Sequence, residues 1–150
     1  MRWLRALALV WMALASGVAW AQPDLSGVGP FSALEGGVAR FDVSGVTVSW
    51  ECSLAQRTFS GVPYEGVEFR WDLDDNGSWD VNWTRAVQQD WSAASKDGPT
   101  TARVRLGARC YTKSVWDIFG PWVTIESTAT VNVSVANVPP ALTEPVGDQP

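Results

Sequence analysis

Apolar and polar positions alternate with a period of two in five separate runs between residues 38 and 135. Ala39, Phe41 and Val43 alternate with Arg40 and Asp42, and Val46, Val48, Trp50 and Cys52 with Thr47, Ser49 and Glu51. Val67, Phe69, Trp71 and Leu73 then alternate with Glu68, Arg70 and Asp72. Further on, Ala102, Val104, Leu106, Ala108 and Cys110 share one face opposite Arg103, Arg105 and Arg109, and Ala129, Val131, Val133 and Val135 alternate with Thr130, Asn132 and Ser134. This period, carried by β-branched and aromatic residues, predicts half-buried strands. Gly-, Pro- and Ser-rich breaks at residues 35–37, 59–63 and 95–100 separate them. Only residues 84–96 could hold a short helix, and their pattern is weak. The chain reads as all-β, a two-sheet antiparallel sandwich.

The first 21 residues follow a different logic. Arg2 and Arg5 precede an apolar run over residues 6–15, and Ala19-Trp20-Ala21 gives a small-x-small ending, so a signal peptide cut after Ala21 is expected. The run is short for a membrane span, and no cysteine near the cut offers a lipid anchor. The expected location is secreted, periplasmic or cell-surface, with no membrane insertion after cleavage. Removing the two leader arginines leaves 9 basic residues (11 less 2) against 16 acidic ones, a formal charge of −7. With no basic run, such a chain is a poor partner for nucleic acid. The absence of histidine removes His-dependent triads and His metal sites.

Export also bears on Cys52 and Cys110, the two cysteines of the chain. In an oxidising compartment an isolated pair is expected to form one disulfide. Closing a loop of this size stabilises a fold by about 4 kcal/mol in the chain-entropy model, and by about 0–5 in practice. Zinc would need more ligands than the pair provides.

Two constellations carry candidate chemistry. Asp72, Asp74, Asn76 and Asp80, turned by Gly77, fit the front of a calcium loop, in which alternate oxygens converge on one ion. Trp83 stands where a bidentate glutamate would complete an EF-hand, so binding in the weak extracellular class, roughly 10⁻⁴–10⁻³ M, is the expectation. The same residues read equally as a hairpin turn whose Asp and Asn side chains accept backbone hydrogen bonds, and both readings stay open. A glycosidase needs two carboxylates facing across a cleft; these lie on one turn, and the expectation is a non-catalytic protein. Tryptophan is the second feature. Trp50 and Trp71 fall at inward positions, whereas Trp116, Phe119 and Trp122 fall on a loop, where they form either a glycan-stacking platform or a satellite core.

Residues 29–45, 67–80 and 128–140 together resemble the polycystic-kidney-disease (PKD) repeat family. The hallmark of that family, an aromatic-x-Trp-Asp stretch running into a Gly/Asp turn, is matched by Phe69, Trp71, Asp72, Leu73 and Gly77. The resemblance implies an immunoglobulin-like β-sandwich of a bacterial secreted or surface protein, a spacer or adhesion module whose partner is a surface protein or glycan. It implies a layout of signal peptide (1–21), linker (22–27), sandwich (28–138), and a linker leading to the start of a second repeat (139–150). The chain departs from the family at Asp75, where the turn often has glycine, before Thr101, where a Gly-x-Tyr lead is missing, and in insertions at residues 46–66 and 111–126. In the family's strand order both insertions meet at one end, so a Cys52–Cys110 bridge would staple two loops. The alternative makes residues 46–52 strand B, with a core bridge against Trp71 as in antibody domains; Ala108 stands where those domains have their corner tyrosine, which favours the staple. Neighbouring strands C and F would also set Glu68 and Asp72 beside Arg103, Arg105 or Arg109 as cross-strand ion pairs.

Overall fold

The computed structural model describes residues 22–114 and 119–139. The expected leader, Trp116 and residues 140–150 of the expected second-repeat start lie outside them. The elements, in chain order, are β1 (Phe31–Leu34), β2 (Val38–Asp42), α1 (Trp50–Thr58), β3 (Glu68–Asp72), β4 (Val81–Thr84), β5 (Gln88–Ser92), β6 (Thr100–Thr112) and β7 (Val123–Ala136). A five-stranded sheet in the order β1-β7-β6-β3-β4 faces a two-stranded sheet of β2 and β5. In immunoglobulin-like terms β2 and β5 take the B and E places, and β3, β6 and β7 the C, F and G places. The expected all-β class holds.

Period-two alternation explains the core directly. Phe41 of β2 reaches across the layers, its ring centroid 5.3 Å from that of Trp71 on β3 and 6.3 Å from that of Trp91 on β5. Val104, Leu106, Val133 and Val135 complete this cluster from β6 and β7. The Trp91 indole N–H donates to the Leu73 carbonyl at 2.9 Å, which supplies a partner for a polar atom in the interlayer.

Five expectations need correction. The sandwich is not wholly antiparallel, because β1 runs parallel to β7. At its end Glu35 N–H bonds the Ala136 carbonyl, and Gly36, at φ 71°, turns the chain into the other sheet. Residues 46–52 are not a strand. Ser49 caps a helix, its side chain accepting from Cys52 N–H, with Glu51 in the first turn and Arg57 in the last. Residues 84–96 hold no helix, since β5 pairs with β2 over Gln88–Ser92 and buries Trp91. Residues 22–27 are more than a linker, as Leu25 is buried in the main core and Ser127 Oγ donates to the Pro23 carbonyl. Finally, the second insertion is not all loop: its two ends belong to β6 and β7, which stay paired as far as Thr112 and Val123 and leave a connection of residues 113–122.

Cys52 and Cys110 form the expected disulfide, with Cα atoms 6.0 Å apart. Both are fully buried in a small cluster with Ile125 and Val48, separate from the main core. The bridge lies at one end of the sandwich, as the staple reading has it, but it pins a helix to a strand end rather than loop to loop. Thr112 Oγ1 adds a hydrogen bond to the Glu51 carbonyl nearby. Among the described residues no helix is long and apolar enough to cross a membrane.

Candidate functional site

The turn between β3 and β4 begins at Asp72, the last residue of β3, which is fully buried beside the outer face of the sheet. Its Oδ1 accepts Asn76 N–H at 3.1 Å, and its Oδ2 accepts Gly77 N–H at 3.0 Å and faces Arg105 Nη2 at 3.0 Å. Burial pushes the pKa of this carboxyl up, but the amides of Gly77 and Asn76 and the charge of Arg105 together outweigh it and hold the group below its ordinary value. The loop then closes on itself. Asp80 Oδ2 accepts Leu73 N–H at 2.6 Å, Asp74 accepts both the backbone and side-chain N–H of Asn76, and Asn76 Oδ1 accepts Ser78 N–H. Asp75 takes positive φ at 55° and pairs with Arg103 at 3.2 Å.

Three of the four predicted cation ligands, all but Asn76, therefore come together as one group. One oxygen each of Asp72, Asp74 and Asp80 lies within 4.8 Å of the others. Their chemistry fits an ion only in part. Both Asp72 oxygens are engaged by N–H donors, and the adjacent guanidinium would repel a cation. Asp74 and Asp80, both exposed, remain as the accessible carboxylates, far short of the six to eight oxygens that calcium takes.

Beside this turn lies a feature that the sequence reading missed. Trp79, from the turn, and Trp83, from β4, fold over the outer face of the sheet and interleave with its arginines. The Arg70 guanidinium carbon sits 4.1 Å from the Trp79 ring centroid and 4.2 Å from that of Trp83. Arg105 covers Trp79 at 4.3 Å, and Arg109 covers Trp83 at 4.3 Å and approaches Tyr111 at 5.5 Å. The result is one alternating stack, Arg105, Trp79, Arg70, Trp83, Arg109, Tyr111. Carboxylates hold its cations from the side: Asp72 on Arg105, Glu126 on Arg70 and Glu68 on Arg109. The expected pairing of Glu68 and Asp72 with the β6 arginines is thus present. A signal for the rest stood in the sequence at Gly107, between Arg105 and Arg109 on the same strand face. A Cβ there would meet Arg70 Cγ and Nε at 2.9 Å and the Trp79 ring at 3.2 Å, so only glycine leaves room for the stack.

The loop aromatics separate. Trp122 is half-buried, edge-to-face with Phe59 at 6.3 Å and 84°, and Lys113 Nζ lies 5.7 Å from its ring and 5.6 Å from that of Phe59. Phe119 is 93 % exposed. Trp50, expected inward, is 69 % exposed, because α1 replaces the strand that would have buried it, whereas Trp71 is fully buried as expected. No protein-family model, curated protein or solved structure matches this chain.

Proposed function

We propose that this chain is an exported, non-catalytic module of PKD type that acts as a spacer or protein-interaction domain at a cell surface. The observation that carries the reading is the cation–π stack on the outer sheet face. It runs across β6, β3 and β4, so its side chains brace the sheet against sliding of one strand past the next, in addition to the backbone bonds. Each such contact contributes about 0.5–1 kcal/mol when exposed and about 2 when desolvated. The hallmark residues Phe69, Trp71, Asp72, Leu73 and Gly77 support the same reading, since they form the strand and turn that deliver Trp79 to the stack. The leader-like residues 1–21 and the disulfide agree with export. Stretching the chain of residues 22–150 by its ends tests this: a spacer unfolds at a force that drops in Trp83→Ala. An unchanged force, together with turnover of a glycoside or peptide substrate, would remove the reading.

For the acidic turn the proposal is a loop closed by its own amides and Arg105, with calcium at most a weak additional ligand on Asp74 and Asp80. A second reading, a carbohydrate-binding module, draws support from the exposure of Phe119, since flat aromatic faces stack on sugar rings. Retention on insoluble polysaccharide that is lost in Phe119→Ala would favour it over the spacer.

A further inference from the structure

We propose that Asn76 is a self-modification site: its side-chain amide deamidates through attack by the Gly77 nitrogen, and the closed turn blocks that reaction until the turn opens. Asn76-Gly77 is the one Asn-Gly step in the sequence, and both residues are exposed on the β3–β4 turn. In this step the Gly77 nitrogen gives up its proton to hydroxide or water and bonds to Asn76 Cγ. The Cγ–Nδ2 bond breaks and ammonia leaves. Water then opens the five-membered imide at one carbonyl or the other, giving aspartate or isoaspartate. Water is the one co-reactant. Glycine leaves the attacking nitrogen unshielded, and nothing beyond its chain neighbours lies within 4 Å of where a Cβ at Gly77 would stand.

The hydrogen bonds of the turn oppose each part of this step. In the imide, Cγ stands where the amide hydrogen stood, so the Gly77 N–H direction must first face Asn76 Cγ. It faces Asp72 Oδ2 instead, at 3.0 Å. That carboxylate is buried, paired with Arg105 at 3.0 Å and held below its ordinary pKa, so it accepts the N–H without removing the proton. The side-chain amide of Asn76 is held at both ends. Its Nδ2 donates to Asp74 Oδ2 at 2.9 Å, and its Oδ1 accepts Ser78 N–H at 2.7 Å. These partners fix which end is which, because an ionised carboxylate cannot donate and a backbone N–H cannot accept. Reaction therefore requires local opening, in which the Gly77 N–H leaves Asp72 and the side chain leaves Asp74. The product does not close again in the same way. An aspartate at position 76 sets a second carboxylate against Asp74 where an N–H donor stood. Isoaspartate adds a backbone carbon ahead of Gly77 and displaces the amide that Asp72 accepts. Either product loosens the turn that carries Trp79 into the arginine stack.

The test incubates the purified protein at neutral pH and physiological temperature, then cuts it after Arg70 and Arg85. The resulting peptide holds both Asn76 and Asn82, and its fragmentation in a mass spectrometer assigns the amide-to-acid mass gain to one of them. The expected result is gain at Asn76 and not at Asn82. It should be at least about tenfold slower in the folded protein than in the same chain unfolded by guanidinium chloride. Asp72→Asn and Asp74→Ala should each speed the folded rate several-fold, and Asn76→Gln should abolish the gain at that position. Thermal melts check that each variant is folded. Asp74 is exposed, so Asp74→Ala decides the matter if Asp72→Asn fails to fold. Modified protein, separated by ion exchange, should melt below the parent. A folded protein that reacts as fast as the unfolded chain would overturn the proposal, as would a folded Asp74→Ala variant that reacts no faster than the parent. Absence of any gain at Asn76 in the unfolded chain would remove the site altogether.

Discussion

Asp72 concentrates more of the local structure than any neighbouring side chain. It is buried at the end of β3, accepts two amide N–H groups of the turn and holds Arg105 in the stack. Replacing it by alanine leaves two donors without their acceptor and a guanidinium without its counter-charge. The expected cost is about 3 kcal/mol, read as a lower denaturation midpoint with the same denaturant dependence. Gly107 makes a complementary prediction from the other side of the stack. Its hydrogen is what lets Arg70 and Trp79 lie flat on β6, so Gly107→Ala forces them outward although β6 itself would gain a better strand former. A loss of about 1–2 kcal/mol is expected, with altered tryptophan fluorescence as the stack opens. If Gly107→Ala were neutral or stabilising, the stack would be a loose surface arrangement rather than a packed layer.

The elements differ in what holds them. β6 and β7 are paired over thirteen residues and share the main core, whereas α1 buries only Cys52 and Ala55 and depends on the bridge to Cys110. Replacing both cysteines by alanine should cost about 2–5 kcal/mol and release α1 first, seen as faster amide exchange in Trp50–Thr58 while the amides of β6 near Leu106 stay protected. Uniform loss of protection would mean that the helix and the sandwich are one cooperative unit. The same difference explains what was legible in the sequence. β2, β3, β6 and β7 bury one face each, so every second residue announces them. α1 was hidden because residues 46–52 alternate by chance, and the competing signals, Ser49 as a cap and a run of helix formers after Glu51, are local and short. β5 was hidden because Gln88, Gln89 and Asp90 carry no strand signal; pairing with β2 overrides their propensity. The carboxylate turn was legible residue by residue. The stack left only the indirect signal of Gly107 between Arg105 and Arg109, because nothing in the spacing of Trp79 and Trp83 says that the turn folds back over the arginines.

At the scale of the whole molecule the question is whether an acidic chain needs a cation to stay folded. Asp24, Asp42, Asp72 and Asp90 all have pKa values held below the ordinary carboxylate value by hydrogen bonds or by Arg40 and Arg105, in Asp72 against the opposing effect of burial. Each therefore stabilises the fold fully above the unfolded value, about 3.9, and that contribution is lost as pH falls through the folded value. Stability should be level from pH 5 to 8 on this account and decline below about pH 4, with a shallower decline in Asp72→Asn because the most buried of the four is removed. The turn is already closed at neutral pH by amides and a guanidinium, so melting with a chelator and then with millimolar calcium should give the same midpoint. A rise of several degrees has two sources that a single variant separates. If Asp74→Ala abolishes it, the ion binds at the turn, and the oxygens of Asp74 and Asp80 recruit enough water to complete a site despite Arg105. If Asp74→Ala retains it, the ion is relieving repulsion spread over residues 22–150, whose formal charge is −7, and an equal ionic strength of sodium chloride should reproduce the effect.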